Sequence, residues 1–188
     1  MEILITGANG FVGRHLILAL QKRGDSVRAL SSPTGDTTWL KQNGVAIFRG
    51  DIRAQDTLTE PMRGVDAVVH LVAETRKWGP MQSSYAVNVT GTENVCLAAM
   101  AAGVRRIVHI STFTIYNMMV GRPVTEDDPL APLDEPYSLT KAQGDRLVQR
   151  MIREKHLPAV IIRLGALLGP GDSLNFGRLA DRVRAGKG

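Results

Sequence analysis

The chain has 188 residues, enough for one domain of ordinary size with little left over. Apolar residues make up 44% and charged residues 22%, which excludes a disordered or fibrous chain, and a single cysteine excludes a disulfide scaffold and favours a reducing compartment. The formal charge of +5 is spread over Arg105-Arg106, Arg150/Arg153/Lys155 and Arg178/Arg182/Arg184/Lys187 with no aromatics between, so solvated helix faces account for it and no nucleic-acid partner is expected.

No apolar run approaches the roughly 18–20 residues that span a bilayer, and Met1 to Gly7 lacks a basic leader. The expectation is a soluble cytoplasmic protein with no membrane partner. Short β-branched runs at Ile3–Ile5, Val27–Leu30, Val45–Phe48, Ala67–Val72, Ile107–Ile110 and Val160–Leu164 read as strands buried on both faces. Helical spacing lies between them. Val12, Leu16, Ala19 and Leu20 form one stripe, Leu58 and Met62 a short helix, Val95 to Ala102 a longer one, and Leu147, Val148, Met151 and Ile152 a stripe ended by Pro158. This alternation predicts an α/β fold, a doubly wound parallel sheet with helices on both faces. The segment from Asn117 to Pro136, with four prolines, is predicted to be a long surface loop.

Immediately after the first strand comes Gly7-Ala8-Asn9-Gly10-Phe11-Val12-Gly13, running into the first helix. Gly7 permits a tight turn, Gly10 lets backbone approach a pyrophosphate, and Gly13 lets helix pack on strand. The helix N-terminus supplies N–H groups and a positive dipole for phosphate. Strand, glycine motif and helix in this order point to dinucleotide binding. An acid ending the second strand would select NAD, but the sequence there is Arg28-Ala29-Leu30-Ser31-Ser32, so NADP is favoured over NAD. Asp51 and Ile52, ending the third strand, are expected near the adenine.

The fifth strand ends in Ser111-Thr112, and Tyr137 and Lys141, four apart, share one face of the helix that follows the long loop. A nearby ammonium and an oxidised nicotinamide would both draw the phenol down from its usual value of about 10, letting it exchange a proton with substrate. The Thr112 hydroxyl can orient the same substrate oxygen. Trp78, in the loop after the fourth strand, is a candidate substrate contact. His70 and His109 read as satisfied core residues, His15 and His156 as solvent-facing, and Cys96 as a buried structural thiol. No spacing suggests a metal site.

Taken together these motifs resemble the extended short-chain dehydrogenase/reductase family, also described as the NAD-dependent epimerase/dehydratase family. The resemblance rests on Gly7/Gly10/Gly13, Gly50-Asp51-Ile52, His70 to Ala73, Asn88 to Asn94, Ser111-Thr112 with Tyr116, Tyr137-x-x-x-Lys141, and Arg163 with Gly169 to Asp172. It implies that Tyr137 is the acid/base, that Lys141 lowers its pKa and binds the nicotinamide ribose, and that Leu71, Val72, Ala73, Asn88 and Ile110 belong to the cofactor site. Phe113-Thr114 follow Thr112 where the family's dehydratases carry an Asp-Glu pair, which disfavours sugar dehydration and places apolar Phe113 on the substrate wall. Asn117 replaces the usual Gly, and Leu164 a frequent Pro. The stretches around Trp39 to Asp51, Tyr85 to Asn88 and Ala99 to Arg106 are most similar to the 3β-hydroxysteroid dehydrogenase and dihydroflavonol reductase branch.

The resemblance also implies residues 1–172 as the NAD(P)-binding domain, 173–188 as the start of a substrate-binding region that is largely absent, and a possible homodimer. The expected function is hydride transfer between nicotinamide and a ketone or secondary alcohol. The alternatives are a nucleotide-sugar epimerase and a non-catalytic NAD(P)-sensing protein.

Overall fold

A computed structural model describes residues 1–76, 78–117, 119–172 and 183–186. Six parallel strands, β1 (Glu2–Thr6), β2 (Ser26–Ser31), β3 (Ala46–Arg49), β4 (Ala67–His70), β5 (Arg106–Thr112) and β6 (Ala159–Leu164), form one sheet in the order β3-β2-β1-β4-β5-β6. The helices are α1 (Phe11–Arg23), α2 (Thr38–Gln42), α3 (Thr59–Met62), α4 (Met81–Tyr85), α5 (Thr92–Ala101) and α6 (Pro136–Lys155). This is the doubly wound Rossmann arrangement that the alternating pattern predicts. All six strands stand where expected, although β4 ends at His70 rather than Val72, leaving Leu71 to Ala73 in the loop beyond it.

Alternation along β1 sorts the core onto two faces. Leu4, with Val68 and Ile107, faces Val95, Ala99, Val148 and Met151 of α5 and α6, whereas Ile3 and Ile5, with Ala29, face Ile17 and Leu20 of α1. The stripe expected on α1 is displaced. Ile17 is fully buried and Ala19 exposed, because Gly13 presses the helix so close to β1 that an added Cβ would lie 2.5 Å from the carbonyl oxygens of Gly7 and Ala8. Gly13, Ile17 and Leu20 then fall on the inner face.

Consecutive helices α4 and α5 join through a π-helical turn, Ala86–Gly91, which the sequence pattern did not reveal. The wider turn turns the Asn88 carbonyl outward, where only a glycine fits opposite: a Cβ on Gly144 of α6 would lie 2.4 Å from it. The loop from Asn117 to α6 is irregular, tied to the body by one antiparallel bridge between Tyr116 and Leu130. The expectation for 173–188 falls mostly outside the described residues. Among the described residues no helix is long and apolar enough to cross a membrane.

Candidate active site

Because the strand order reverses at β1, with β2 on one side and β4 on the other, a crevice opens outside the carboxyl ends of these strands. Gly7 turns the chain there with φ at 73°, and a Cβ on it would sit 2.9 Å from the Val72 nitrogen. Gly10 leads into α1 with no side-chain cap, and Phe11, Val12 and Gly13 form its first turn. Asn9 is held in place by Arg14, which donates to its Oδ1 at 2.9 Å, and by its own bond to the Asp36 carbonyl. A cleft beside this turn is lined by Leu30, Ser32, Asp51, Ile52 and Val72. Asp51 is paired with Arg53, whose hydrogen bonds hold its carboxyl below the usual range.

Arg28 does not reach this crevice. Its guanidinium bonds Glu2 at 2.5 Å and the Arg63 carbonyl at 2.7 Å, both toward the amino ends of the strands. Side-chain direction within a strand, unreadable from sequence, decides this. The base that does stand beside Ser31 and Ser32 is Arg49, the last residue of β3, which donates to Ser31 Oγ, the Ser32 and Gly35 carbonyls and Thr37 Oγ1. Its place directly before Gly50 was the available signal.

The end of β5 and the start of α6 assemble the second half of the site. Thr112 lies buried at the end of β5, with Tyr137 beside it in the first turn of α6. Burial pushes the Tyr137 phenol above its ordinary value; the Thr112 hydroxyl opposes this and the Glu135 carboxylate adds to it. The protein alone therefore moves the phenol opposite to the expected direction, because Lys141 aims elsewhere: its Nζ donates to the Ile110 carbonyl at 2.7 Å. Lys141 itself is buried, and desolvation brings it down to about 8 against the pull of Asp145.

Asn88 uses both amide hydrogens, on the Glu74 carbonyl and Thr140 Oγ1, while its oxygen accepts from the Glu74 N–H. It thus holds the loop after β4 against α6. Behind it, Thr92 donates to the Asn88 carbonyl at 2.9 Å, so His70 Nε2 must donate to Thr92, and His70 Nδ1 accepts from Thr6 at 2.7 Å. Burial holds this neutral ring down to about 3. His109 departs from expectation: stacked on His70 with centroids 5.6 Å apart, it is buried with neither ring nitrogen bonded. Cys96 is buried as expected, its thiol pushed up to about 12.

Phe113 is half-buried next to Thr112, whereas Trp78, in the loop after β4, is 85% exposed. His15 is exposed as expected but bonds the Pro170 carbonyl. Two further charged residues were missed. Asp145, fully buried, pairs bidentately with Arg163, whose other contacts are the Tyr116 hydroxyl and the Glu126 carbonyl, fastening the long loop. Glu135 caps α6 from a buried position, and an acid before proline at a helix start was its signal.

The model of the NAD dependent epimerase/dehydratase family matches residues 3–187. The chain belongs to this family. Among its relatives, the 2-alkyl-3-oxoalkanoate reductase of Stenotrophomonas maltophilia is 34% identical over all of this chain and 57% of its own length. The 3beta-hydroxysteroid-dehydrogenase/decarboxylase isoform 1 of Arabidopsis thaliana is 29% identical over 98% of this chain and 45% of its own. A solved structure of UDP-glucuronic acid 4-epimerase from Bacillus cereus in complex with NAD is 31% identical with a TM-score of 0.84, covering 100% of this chain and 64% of that one. The chain spans a little over half the length of the first curated relatives it matches.

Proposed function

We propose that this chain carries the nucleotide-binding and proton-handling half of an NAD(P)-dependent oxidoreductase acting on a ketone or secondary alcohol. The observation that carries the reading is the convergence of Thr112, Tyr137 and buried Lys141 on the carboxyl-end side of the sheet, where the glycine turn also lies. A nicotinamide nucleotide fits the residues present. A Cβ on Gly7 or Gly13 would strike the chain's own backbone, so these glycines keep the turn and α1 close against β1 and the loop after β4, and the uncapped start of α1 offers N–H groups to a pyrophosphate.

When bound, the nucleotide supplies or accepts the hydride. The chain's own residues do the rest. Thr112 orients the substrate oxygen, and Tyr137 gives that oxygen a proton on reduction or takes one on oxidation. Lys141 supplies positive charge behind the phenol. The residues around Ser31 and Ser32 favour NADP: no carboxylate ends β2, while Arg49, with Arg14 held near Asn9, offers cations for a 2′-phosphate. Ser31, Ser32 and Arg49 take the adenine ribose end, with Asp51, Ile52 and Val72 about the base.

Replacing Tyr137 by Phe tests the reading. Turnover of a carbonyl probe with NADPH should fall by about 10²–10⁴-fold, with nucleotide affinity unchanged. A chain that only senses nucleotide would lose neither. An epimerase, the second reading favoured by the Bacillus cereus structure, would interconvert a nucleotide-sugar with no net NADPH consumption.

A further inference from the structure

His15 reads from the sequence as a solvent-facing helix residue, yet its Nε2 lies 2.9 Å from the Pro170 carbonyl oxygen, 155 positions along the chain. A carbonyl only accepts, so that nitrogen carries the hydrogen and donates. Phe11, one turn earlier on α1, steadies the His15 ring edge to face, with centroids 5.1 Å apart. Phe11 also meets the same segment directly, since a Cβ on Gly169 would lie 3.3 Å from its ring. The start of α1, just past the glycine motif, therefore grips Gly169 and Pro170 at two points.

The turn that presents the Pro170 carbonyl has a defined geometry. Pro170 and Gly171 occupy its two central positions, Gly171 has φ at 87°, and the Asp172 N–H donates to the Gly169 carbonyl at 3.1 Å. Proline first, a positive-φ glycine second and this closing bond define a type II turn. In a type I turn the central peptide, and with it the Pro170 carbonyl, would face the other way. Nothing lies within 4 Å of a Cβ on Gly171, so the backbone angle alone calls for glycine there.

The two ends of the segment fix its path. It leaves β6 at Leu164, which pairs with Thr112 of β5 at the carboxyl end of the sheet, and it reaches α1 just past β1. Between β6 and β1 stand β5 and β4. Three strand spacings come to about 14 Å, while the chain from Leu164 to Gly169 spans at most about 18 Å. With so little slack, Gly165 to Leu168 run nearly straight past the carboxyl ends of β5 and β4, and all of them are exposed.

We propose that the His15–Pro170 bond is a latch holding this strap across the nicotinamide half of the crevice, which makes His15 a positioning residue that sets how long the nucleotide stays. This rests on the reading of the crevice as a nicotinamide nucleotide site. In that reading the adenine ribose end lies by Ser31, Ser32 and Arg49 on the β2–β3 side, and the chemistry lies by Thr112 and Tyr137 on the β5 side. The strap crosses only the second side. Opening the latch frees the reactive end of the nucleotide and leaves the adenine end gripped. One exposed hydrogen bond sets the size of the effect, about three- to tenfold in a rate.

Stopped-flow fluorescence tests the latch by comparing release of NADPH with release of ADP-ribose 2′-phosphate, which keeps the adenine end and the phosphates but lacks nicotinamide. The second rate is read by mixing the preloaded chain with excess NADPH. His15→Ala keeps a good helix former and removes the donor, whereas Gly171→Ala keeps the donor and disfavours the turn that aims the carbonyl. Each should release NADPH about three- to tenfold faster than the natural chain, with release of ADP-ribose 2′-phosphate unchanged. His15→Gln, which retains a side-chain N–H donor, should recover most of the loss. In the nucleotide-free chain, amide exchange from Gly165 to Gly169 should quicken in His15→Ala and Gly171→Ala but not in His15→Gln. NADPH release unchanged in His15→Ala overturns the proposal, as does an equal change for both compounds, which would place the effect on the phosphates at the start of α1. If the natural chain binds neither compound, the nucleotide reading fails instead, and the exchange rates alone judge the latch.

Discussion

Lys141 is held in the fold at a cost, and Lys141→Met exposes it. Burial lowers the ammonium from an ordinary 10.5 to about 8. A difference of this size, at 1.36 kcal/mol per unit, corresponds to about 3 kcal/mol of destabilisation when the charge is present. Below pH 8 the lysine is protonated folded and unfolded, so that cost is fully expressed. Between pH 8 and 10.5 the unfolded chain keeps a proton that the folded chain has lost, so stability rises with pH across this window. Methionine fills the same volume and removes the charge, but it also removes the donor to the Ile110 carbonyl, worth about 1–2 kcal/mol. The net expectation at pH 7 is a variant more stable by about 1–2 kcal/mol, raising Tm by roughly 2–8 °C. At pH 10 most of the advantage should vanish. Urea unfolding at the two pH values measures it, together with NADPH turnover, which should collapse. A variant less stable at pH 7, or an advantage equal at both pH values, would refute this reasoning.

Other substitutions separate neighbouring roles. Arg49→Gln should reduce affinity for NADPH about tenfold or more while leaving NADH nearly untouched, whereas Arg28→Gln should change neither, as isothermal titration with both nucleotides would record. Gly7→Ala should destabilise the chain by about 1–3 kcal/mol and weaken nucleotide binding, because the new Cβ meets the Val72 backbone at a positive φ; thermal melts with and without NADPH check both effects. Asp145→Asn should cost about 3–5 kcal/mol by stranding Arg163 and should loosen the loop it fastens, which hydrogen exchange around Tyr116 and Glu126 would detect.

Strands and helices were legible because each leaves a periodic trace that burial enforces. β1 alternates between two cores, and α6 carries Leu147, Val148 and Met151 on one face. The glycine turn was legible because its geometry excludes Cβ atoms, and Tyr137 and Lys141 because a helix places residues four apart on one side. Direction and partnership left no such trace. Arg28 and Arg49 both lie on strands at this side of the sheet, yet Glu2 draws one away and Ser31 receives the other. Asn88 and Lys141 occupy the expected positions, but their hydrogen bonds go to Glu74, Thr140 and Ile110, partners distant in sequence. The Tyr137 phenol is the sharpest case. Spacing brings a lysine near it, while the surrounding burial, which only packing creates, moves its proton affinity the other way.

That reversal makes the bound nucleotide responsible for any acidification. Difference absorbance near 295 nm between the natural chain and Tyr137→Phe reports the Tyr137 phenolate directly. Adding NADP⁺ should bring its midpoint down toward neutrality by about 1–3 pH units, as a positive ring within a few ångströms requires, while ADP-ribose 2′-phosphate, which lacks that ring, should leave it in place. An unchanged midpoint with NADP⁺, or an equal shift with both compounds, would contradict a nicotinamide seated against Tyr137.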